Sequence, residues 1–405
     1  MAITPDTPEQ AEFRARVVAW HDLNATPLRD EDMWATPMYL DDSVAFESFE
    51  KGRAWQRTLF EGGWAGLAWP TRYGGQGGEP WMTRIFNEVA AGYEEWPGFI
   101  SSTIAMLAPT LLDYGTEAQK ERFVPSLLSG ELAFCQLFSE PGAGSDLAGL
   151  ATRADRDGDE FVVTGQKVWN SQAQFCDWGF VLVRTDPDRP KHQGITFLLV
   201  EMSTPGIEVR PLVQMTGSSH FNEVFLDHAR IPVANVVGEI DEGWGPARTV
   251  LANESAYIGA RGTRSTSSKL IELARRHGRL NDQRVRQGLA DLYSRELAQR
   301  QMNATIQTAV RSGRRPPFDP GLIKLFWAGS KARAGDLATM IAGAAAIAGS
   351  DPSTRWTQLE LMGRYSISIG GGTNEVMRNN IAERSLGLPR EPRVDKDIAW
   401  RDIPR

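Results

Sequence analysis

A glycine-rich segment about one third of the way along the chain combines residue types that bind small ligands. The segment runs from Phe138 to Asp146 with the sequence FSEPGAGSD. Its two glycines allow the backbone to approach a ligand closely, and the Ser145 hydroxyl can hydrogen-bond beside free backbone N–H groups. This chemistry suits a phosphate or an amide. The same composition is typical of a loop that only connects a helix to a strand, and composition alone favours that second interpretation.

A second segment lies about 25 residues further on, from Gly165 to Ser171, with the sequence GQKVWNS. On an extended strand, Trp169 could stack on a flat ring while Ser171 donates a hydrogen bond to the edge of that ring. For a tryptophan considered alone, a buried position in a strand is the favoured alternative.

Both segments lie where the hydrophobic pattern changes from a helical period to a strand period. From Pro8 to about Gly130, apolar residues recur every three to four positions, with a break at the turn-forming sequence WPTRYGG from Trp69 to Gly75. Helical periodicity returns from Trp244 to about Leu386. Between them the sequence predicts short strands, with a hairpin turn at Asp157-Gly158, over residues 161–165, 178–184, 194–201, 207–212 and 223–226.

Composition excludes several classes of protein. The 405 residues are enough for two or three packed regions, and a formal net charge of -7 argues against nucleic acid as the main partner. Two cysteines are too few for a disulfide framework, and the five histidines show no metal-ligand spacing. The sequence shows neither a leader peptide nor an apolar run long enough to span a membrane, so we expect a cytoplasmic protein.

Taken together, the two segments resemble the central region of the acyl-CoA dehydrogenases. The ordered series of matches covers nearly the whole chain, and this order makes the resemblance specific although each match alone is weak. Further matching segments are Trp64–Pro70, Tyr73–Gly75, Phe221–Asp227, Arg230–Val233, Val237–Gly238, Gly243–Trp244 and Ile369–Asn379.

The resemblance implies an α+β multidomain fold that is mostly α-helical. We expect an N-terminal helical domain over residues 1–131, a middle antiparallel β-barrel domain over 132–241, and a C-terminal four-helix-bundle domain with a polar tail over 242–405. It also implies FAD as cofactor, an acyl-CoA thioester as substrate, an electron-transferring flavoprotein as electron acceptor, and a homodimer or homotetramer.

The resemblance also assigns roles to individual residues. Phe138 and Ser139 would border the flavin, Trp169 and Ser171 would cover one of its faces and its N5 edge, and Ser145 and Tyr257 would contact the substrate. The adenosine and diphosphate end of FAD would meet a glycine-rich turn that opens a helix. A helix N-terminus is suited to bind a diphosphate because its free N–H groups favour anions. That turn comprises Gly370, Gly371, Gly372, Thr373 and Glu375.

The catalytic base is not where many family members carry it. In those members a carboxylate immediately precedes the Gly-Thr pair of the C-terminal turn, and here that position is Gly371. A second family arrangement, typical of isovaleryl- and long-chain-type members, places a glutamate on the first helix of the C-terminal domain, which matches Glu254. Independently of the family, the helical neighbours of Glu254 at three and four residues are apolar or aromatic: Val250, Leu251, Tyr257 and Ile258.

A carboxylate within such a stripe is expected to have a raised pKa and to be ready for proton transfer. The alternative is a buried structural ion pair, for instance with Arg261. The family's Gln-x-x-Gly-Gly flavin motif is also replaced here, by MIAGA from Met340 to Ala344, so contacts to the adenosine side of FAD must be made differently.

We therefore expect an acyl-CoA dehydrogenase that removes an α-proton with Glu254 and passes hydride to FAD, giving a 2-enoyl-CoA. Two alternatives remain. One is an oxygen-using flavoenzyme on the same scaffold, similar to nitroalkane oxidases or flavin hydroxylases. The other is a non-catalytic partner subunit of a hetero-oligomeric dehydrogenase of the steroid-degrading type.

Overall fold

The computed structural model divides the chain into two compact units. Unit 1 comprises Met1–Leu28, Leu40–Tyr257 and Arg393–Arg405, and unit 2 comprises Arg29–Tyr39 and Ile258–Pro392. Within these spans the structure describes residues 6–29, 33–34, 42–94, 100–260, 265–319, 321–392, 395 and 397–404.

Unit 1 begins with five helices whose ends are set by local sequence. The first has Pro8 in its first turn and a capping box in which Thr7 and Gln10 bond each other's backbone N–H. The fifth repeats the capping box with Thr116 and Gln119. The predicted break near Trp69 is confirmed by a short 3-10 turn. The helices are α1 Pro8–Asn24, α2 Asp42–Glu61, α3 Pro80–Ala90, α4 Ile100–Tyr114 and α5 Glu117–Leu128.

A seven-stranded sheet follows in the same unit, with the path β1-β4-β2-β3-β7-β6 and β5 paired to β4. Four strand pairs are antiparallel, as predicted, but β4 pairs in parallel with β1 and, at Arg184, with β2. Strands β2 and β3 lie between β1 and β4 in sequence and supply the long crossover that a parallel pair needs. The strands are β1 Phe134–Leu137, β2 Arg153–Asp157, β3 Glu160–Ser171, β4 Trp178–Arg184, β5 Ile195–Glu201, β6 Ile207–Leu212 and β7 Phe221–Pro232.

The sheet has two faces with different cores. Side chains from six of the strands, β1 to β5 and β7, share one core, so the sheet wraps around it in the manner of a barrel. The opposite face of β1, β4 and β5 packs against α2, α4 and α5 and against the next helix, α6 Trp244–Ala260. Strands β4 and β5 are therefore covered on both faces, which explains their almost continuously apolar sequences WGFVLVR and ITFLLVE.

Unit 2 is helical, and four of its helices share one core, which confirms the expected bundle. These four are α7 Thr266–Arg276, α8 Gln283–Arg311, α9 Gly321–Ala342 and α11 Pro352–Gly363. Helix α8 approaches α9 closely at Gly288, where a Cβ would lie 2.8 Å from a Leu337 methyl group. Shorter helices complete the unit: α10 Ala345–Ala348, α12 Ser366–Ile369 and α13 Asn374–Asn380, which continues into a π-helical turn over Ile381–Ser385.

No helix in the described part of the chain is long and apolar enough to cross a membrane.

Candidate active site

The FSEPGAGSD segment connects β1 to β2, and a buried ion pair anchors it to β3. The Lys167 ammonium on β3 lies 2.7 Å from the Glu140 carboxylate, and neither side chain is more than 8% exposed. Lys167 also donates to the Phe138 carbonyl at 3.2 Å, and Glu140 accepts from the backbone N–H groups of Ala151 and Thr152. Burial acts to raise the pKa of Glu140, but the charge and hydrogen bond of Lys167 outweigh it and the pKa is lowered.

The outer side of the same loop is open. A Cβ built on Gly142 or Gly144 would meet no atom within 4 Å. Ser145, which follows these glycines in the sequence, is exposed. Ser139 is half-buried, and its carbonyl accepts from the Val168 N–H at 2.9 Å. The Phe138 ring packs edge-on against two core phenylalanines, so this ring supports the loop from the interior.

Trp169 is turned out of strand β3 by a bulge. The pairing of β3 with β7 shifts register between Val168 and Asn170, and Trp169 itself has a left-handed φ of 65°. Trp169 is 59% exposed, and its ring packs edge to face with the Phe221 ring, with 5.9 Å between the ring centroids. The alternative of a buried strand tryptophan is therefore wrong. A strained, exposed aromatic beside the half-buried Ser171 is suited to stack on a planar ligand.

Glu254 lies on α6, one turn after the fully buried Val250 and three residues after the half-buried Leu251. Its carboxylate is half-buried, and burial raises its pKa. No cation among the residues that the structure describes forms an ion pair with it. Arg261, the partner in the alternative interpretation, lies outside the described residues, and so does the side chain of Tyr257.

The glycine turn lies in unit 2 and has the backbone that its sequence predicts. Gly371 and Gly372 have φ values of 65° and 87°, and Thr373 caps α13 by accepting from the Val376 N–H at 3.2 Å. The Lys324 ammonium of α9 donates to the Gly372 carbonyl at 2.5 Å and to the Asn374 side chain at 3.2 Å. Because position 371 is left-handed, a glutamate there would be strained, which is consistent with the absence of the usual base from this turn.

The predicted residues of this turn are all exposed or half-buried. Gly370 precedes the two left-handed glycines with an extended backbone, and Glu375 pairs with Arg378 at 2.9 Å within the first turn of α13. These residues thus form one compact turn, as the sequence predicts.

Comparison with known proteins identifies the family. The models described as "Acyl-CoA dehydrogenase, N-terminal domain", "middle domain" and "C-terminal domain" match residues 7–131, 135–229 and 241–386. The chain belongs to the acyl-CoA dehydrogenase family. This membership makes it one of a family of oxidoreductases that are generally FAD-dependent, and the family resemblance and the mostly helical three-domain fold predicted from sequence are confirmed.

Three proteins with printed names are similar to this chain over most of its length. The chain is 38% identical over 349 residues to "Acyl-CoA dehydrogenase IpdE1" of Mycobacterium tuberculosis, covering 85% of this chain and 90% of that protein. A solved "Tcur3481-Tcur3483 steroid ACAD" is similar with a TM-score of 0.79 and 32% identity, covering 96% of this chain and 99% of that one. The "ChsE4-ChsE5 complex from Mycobacterium tuberculosis" gives a TM-score of 0.74 and 30% identity, covering 96% and 100%.

The residues of unit 1 fit a flavin in their chemistry. An exposed indole, neighbouring hydroxyls and an open glycine loop provide a stacking surface and hydrogen-bond donors where the glycine loop meets β3 through the bond from the Val168 N–H to the Ser139 carbonyl. The buried Asn170 side-chain oxygen, adjacent to Trp169, also has no hydrogen-bond partner in the described part of the chain. An unsatisfied buried acceptor at this position is consistent with a group that is bound there.

Sequence reasoning missed two features of this region. One is a pair of buried side-chain hydrogen bonds across β1, β3 and β7, in which Asn170 donates to the Gln136 carbonyl and Asn222 donates to the Asn170 carbonyl. The other is the C-terminal segment, expected only as a polar surface tail. Its Trp400 ring lies over the Arg184 guanidinium at 4.9 Å, and Lys191 bridges its Asp395 to Asp146 at the end of the glycine loop. A tryptophan within a polar tail was the available signal.

Proposed function

We propose that the chain catalyses α,β-dehydrogenation of an acyl-CoA thioester to the 2-enoyl-CoA, with Glu254 as the base. The observation that carries the proposal is the half-buried Glu254 carboxylate, which projects from α6 among apolar neighbours and whose pKa is raised by burial. A carboxyl group whose pKa is raised by burial, and which no cation of the described residues pairs with, is suited to accept a proton from carbon.

In this mechanism a carboxylate oxygen of Glu254 takes a proton from the α-carbon of the bound acyl group. Backbone N–H groups that bond the thioester carbonyl would stabilise the negative charge that develops on its oxygen. Bound FAD would supply the hydride acceptor. In unit 1 it would be held by Ser139, Trp169 and Ser171, with the backbone of Phe138 at its border, and Ser145 and Tyr257 would hold the substrate.

The glycine turn of unit 2, considered by itself, is suited to hold the adenosine and diphosphate end of an FAD molecule. Its left-handed glycines expose backbone N–H groups, and the Lys324 ammonium adds a positive charge beside the turn. Burial lowers the pKa of Lys324. The contributing residues are Gly370, Gly371, Gly372, Thr373 and Glu375. This arrangement would take the place of the missing Gln-x-x-Gly-Gly motif.

The printed names of the relatives support a steroid-derived acyl group as the first substrate class to test, since one neighbour is called a steroid enzyme. An electron-transferring flavoprotein is the proposed electron acceptor, and a homodimer or homotetramer the proposed assembly. A second candidate is a subunit of a hetero-oligomer, and the specific observation in its favour is similarity to a protein solved as a two-component complex.

Anaerobic bleaching of the bound flavin by a panel of short, long, branched and steroid-derived CoA thioesters tests the proposal. We expect at least one thioester to bleach the wild-type protein. The Glu254→Gln variant should stay yellow but react about 10²- to 10⁴-fold more slowly, the usual contribution of a general base. Glu239→Gln, the same change at an exposed position just before α6, is the matched control.

Three outcomes would contradict the proposal. Undiminished bleaching in Glu254→Gln would remove this residue from the mechanism. Colourless protein that becomes active only with a second chain would favour the hetero-oligomer. Rapid oxygen uptake by the reduced protein would favour an oxygen-using enzyme.

A further inference from the structure

The C-terminal segment of unit 1 is docked on the connection between β4 and β5, residues 185–194. Its short 3-10 turn spans Trp400–Asp402. The Trp400 N–H donates to the Arg189 carbonyl at 2.9 Å, and the Arg401 N–H donates to the Pro187 carbonyl at 3.1 Å. Because these are backbone hydrogen bonds, the place of the Trp400 ring does not depend on an exposed side-chain contact.

The same segment contacts the end of the glycine loop (FSEPGAGSD). The Trp400 indole N–H donates to the Gly149 carbonyl at 3.3 Å. Gly149 ends the 3-10 turn Leu147–Gly149, which begins directly after Asp146, and its N–H donates to the Asp146 carbonyl at 2.9 Å. Trp400 therefore holds the turn in which the glycine loop finishes.

The Arg184 side chain joins this turn to the β4–β5 connection beneath the Trp400 ring. Its guanidinium donates to the Ala148 carbonyl at 2.7 Å and to the Lys191 carbonyl at 3.1 Å. Arg184 is only 2% exposed, and its guanidinium carbon lies 4.9 Å from the Trp400 ring centroid. An aromatic face attracts a cation at this distance, so the ring both covers and stabilises the junction.

A second contact of the segment neutralises a buried lysine at the loop. The Lys191 ammonium donates to the two Asp146 carboxylate oxygens at 2.9 and 3.1 Å, and it also pairs with Asp395. The Lys191 side chain is 8% exposed. A buried ammonium is stable only when it is paired, and Asp395 of the C-terminal segment supplies one of its two carboxylates.

The glycine loop is thus anchored at both ends by a buried lysine. Lys167 holds it at Glu140, and Lys191 holds it at Asp146. Between the two anchors the backbone of residues 142–144 is open, and Ser145 is exposed directly beside the second anchor. An open backbone takes its order from its fixed ends, so the second anchor determines how far Ser145 can move.

We propose that Trp400 and Asp395 are positioning residues for substrate binding: they hold the Asp146 end of the glycine loop, and with it Ser145, in the conformation that binds the acyl-CoA. The inference rests on the proposed function, in which Ser145 holds the substrate. It assigns neither Trp400 nor Asp395 a contact with the substrate or with FAD.

Steady-state kinetics of the FAD-loaded protein test the proposal, with a CoA thioester that bleaches the flavin as substrate. Trp400→Ala and Asp395→Asn should each raise KM about three- to tenfold, because binding must then also order the loop. The value of kcat should change by less than about twofold, since the loss of an interaction that substrate and transition state share raises KM alone. Trp400→Phe, which keeps a ring over Arg184, should recover most of the affinity.

A second readout depends on neither turnover nor bound flavin. Amide hydrogen exchange of peptides that cover residues 138–150 should be faster in Trp400→Ala and Asp395→Asn, by a factor similar to the rise in KM. Arg401→Ala is the matched control in the same segment, because the Arg401 side chain contacts Asp188 and both side chains are more than half exposed. Such an exposed pair contributes little, so this variant should change neither KM nor the exchange.

The outcomes separate this inference from the proposed function. An unchanged KM in both Trp400→Ala and Asp395→Asn, with a thioester that bleaches the wild type, would overturn the positioning role and leave the dehydrogenation intact. Faster exchange without a rise in KM would overturn it too, since the segment would then only stabilise the turn. A wild-type protein that no thioester bleaches would instead overturn the proposed function, whatever the exchange measurement shows.

Discussion

The buried ion pair under the glycine loop gives the sharpest prediction about stability. Replacing Lys167 with methionine keeps a side chain of similar length but leaves the Glu140 carboxylate buried without its cation. The two backbone donors, from Ala151 and Thr152, remain and compensate only part of the loss. Removing one partner of a buried pair costs about 3–5 kcal/mol of unfolding free energy. Since a folded protein has about 5–15 kcal/mol in total, this is a large fraction of the stability.

The loss should depend on pH, with a sign that follows from the structure. In the wild type the pKa of Glu140 is lowered, so the pair contributes stability above the unfolded pKa that is lost as pH falls through the lower folded pKa. Without Lys167, burial dominates and raises the pKa of Glu140. The variant should then lose stability as pH rises, and its deficit relative to the wild type should be smallest in mild acid.

Urea unfolding followed by tryptophan fluorescence measures the effect, and thermal unfolding should show a decrease in Tm on the order of 10 °C. The double variant Glu140→Gln/Lys167→Met has no buried charge and should recover most of the loss, because replacing both members of a buried pair is often close to neutral. A single-variant loss below about 1 kcal/mol would refute the reasoning, since it is the size expected of an exposed pair. A double variant no more stable than Lys167→Met would refute it equally.

Three further predictions concern other parts of unit 1. Trp169→Ala should change the free energy of unfolding by no more than about 0.5 kcal/mol, because Trp169 is 59% exposed. The same variant should bind flavin about three- to tenfold more weakly in a fluorescence titration, while Trp169→Phe retains binding. Glu254→Gln should raise the unfolding free energy by about 1 kcal/mol at neutral pH, because burial disfavours the ionised carboxyl. Denaturation curves recorded at a pH below the pKa of this carboxyl in the unfolded chain should show no such gain. Trp400→Ala should release the C-terminal segment from Arg184 and accelerate proteolytic cleavage after residue 392, and an unchanged cleavage rate would show that the ring does not hold it.

Much of the fold followed from local sequence. Helix and strand periods, the break at Trp69–Gly75 and the Asp157-Gly158 hairpin are set by neighbouring residues, so the sequence alone predicted them. Strand β1 was not predicted, because four residues are too few to show a period. Its parallel pairing with β4 depends on contacts between distant segments.

Part of the candidate site could likewise be predicted from local sequence, and part depends on contacts between distant segments. The apolar stripe around Glu254 is local to one helix, and it predicted a raised pKa in the direction that the structure gives. The Lys167–Glu140 pair, the hydrogen bonds of the Asn170 and Asn222 side chains and the docking of Trp400 all join residues from separate elements. No spacing within the sequence encodes such contacts, since they depend on which strands become neighbours in the sheet.

The central claim is that the Glu254 carboxylate takes the α-proton, and exchange of that proton with solvent tests it most directly. FAD-loaded protein would be incubated anaerobically with an acyl-CoA that bleaches the flavin, in deuterated water, and deuterium at the α-carbon measured by mass spectrometry. We predict rapid incorporation with the wild type and with Glu239→Gln, and a decrease of at least about a hundredfold with Glu254→Gln at equal flavin content. Incorporation at the wild-type rate by Glu254→Gln would contradict the account.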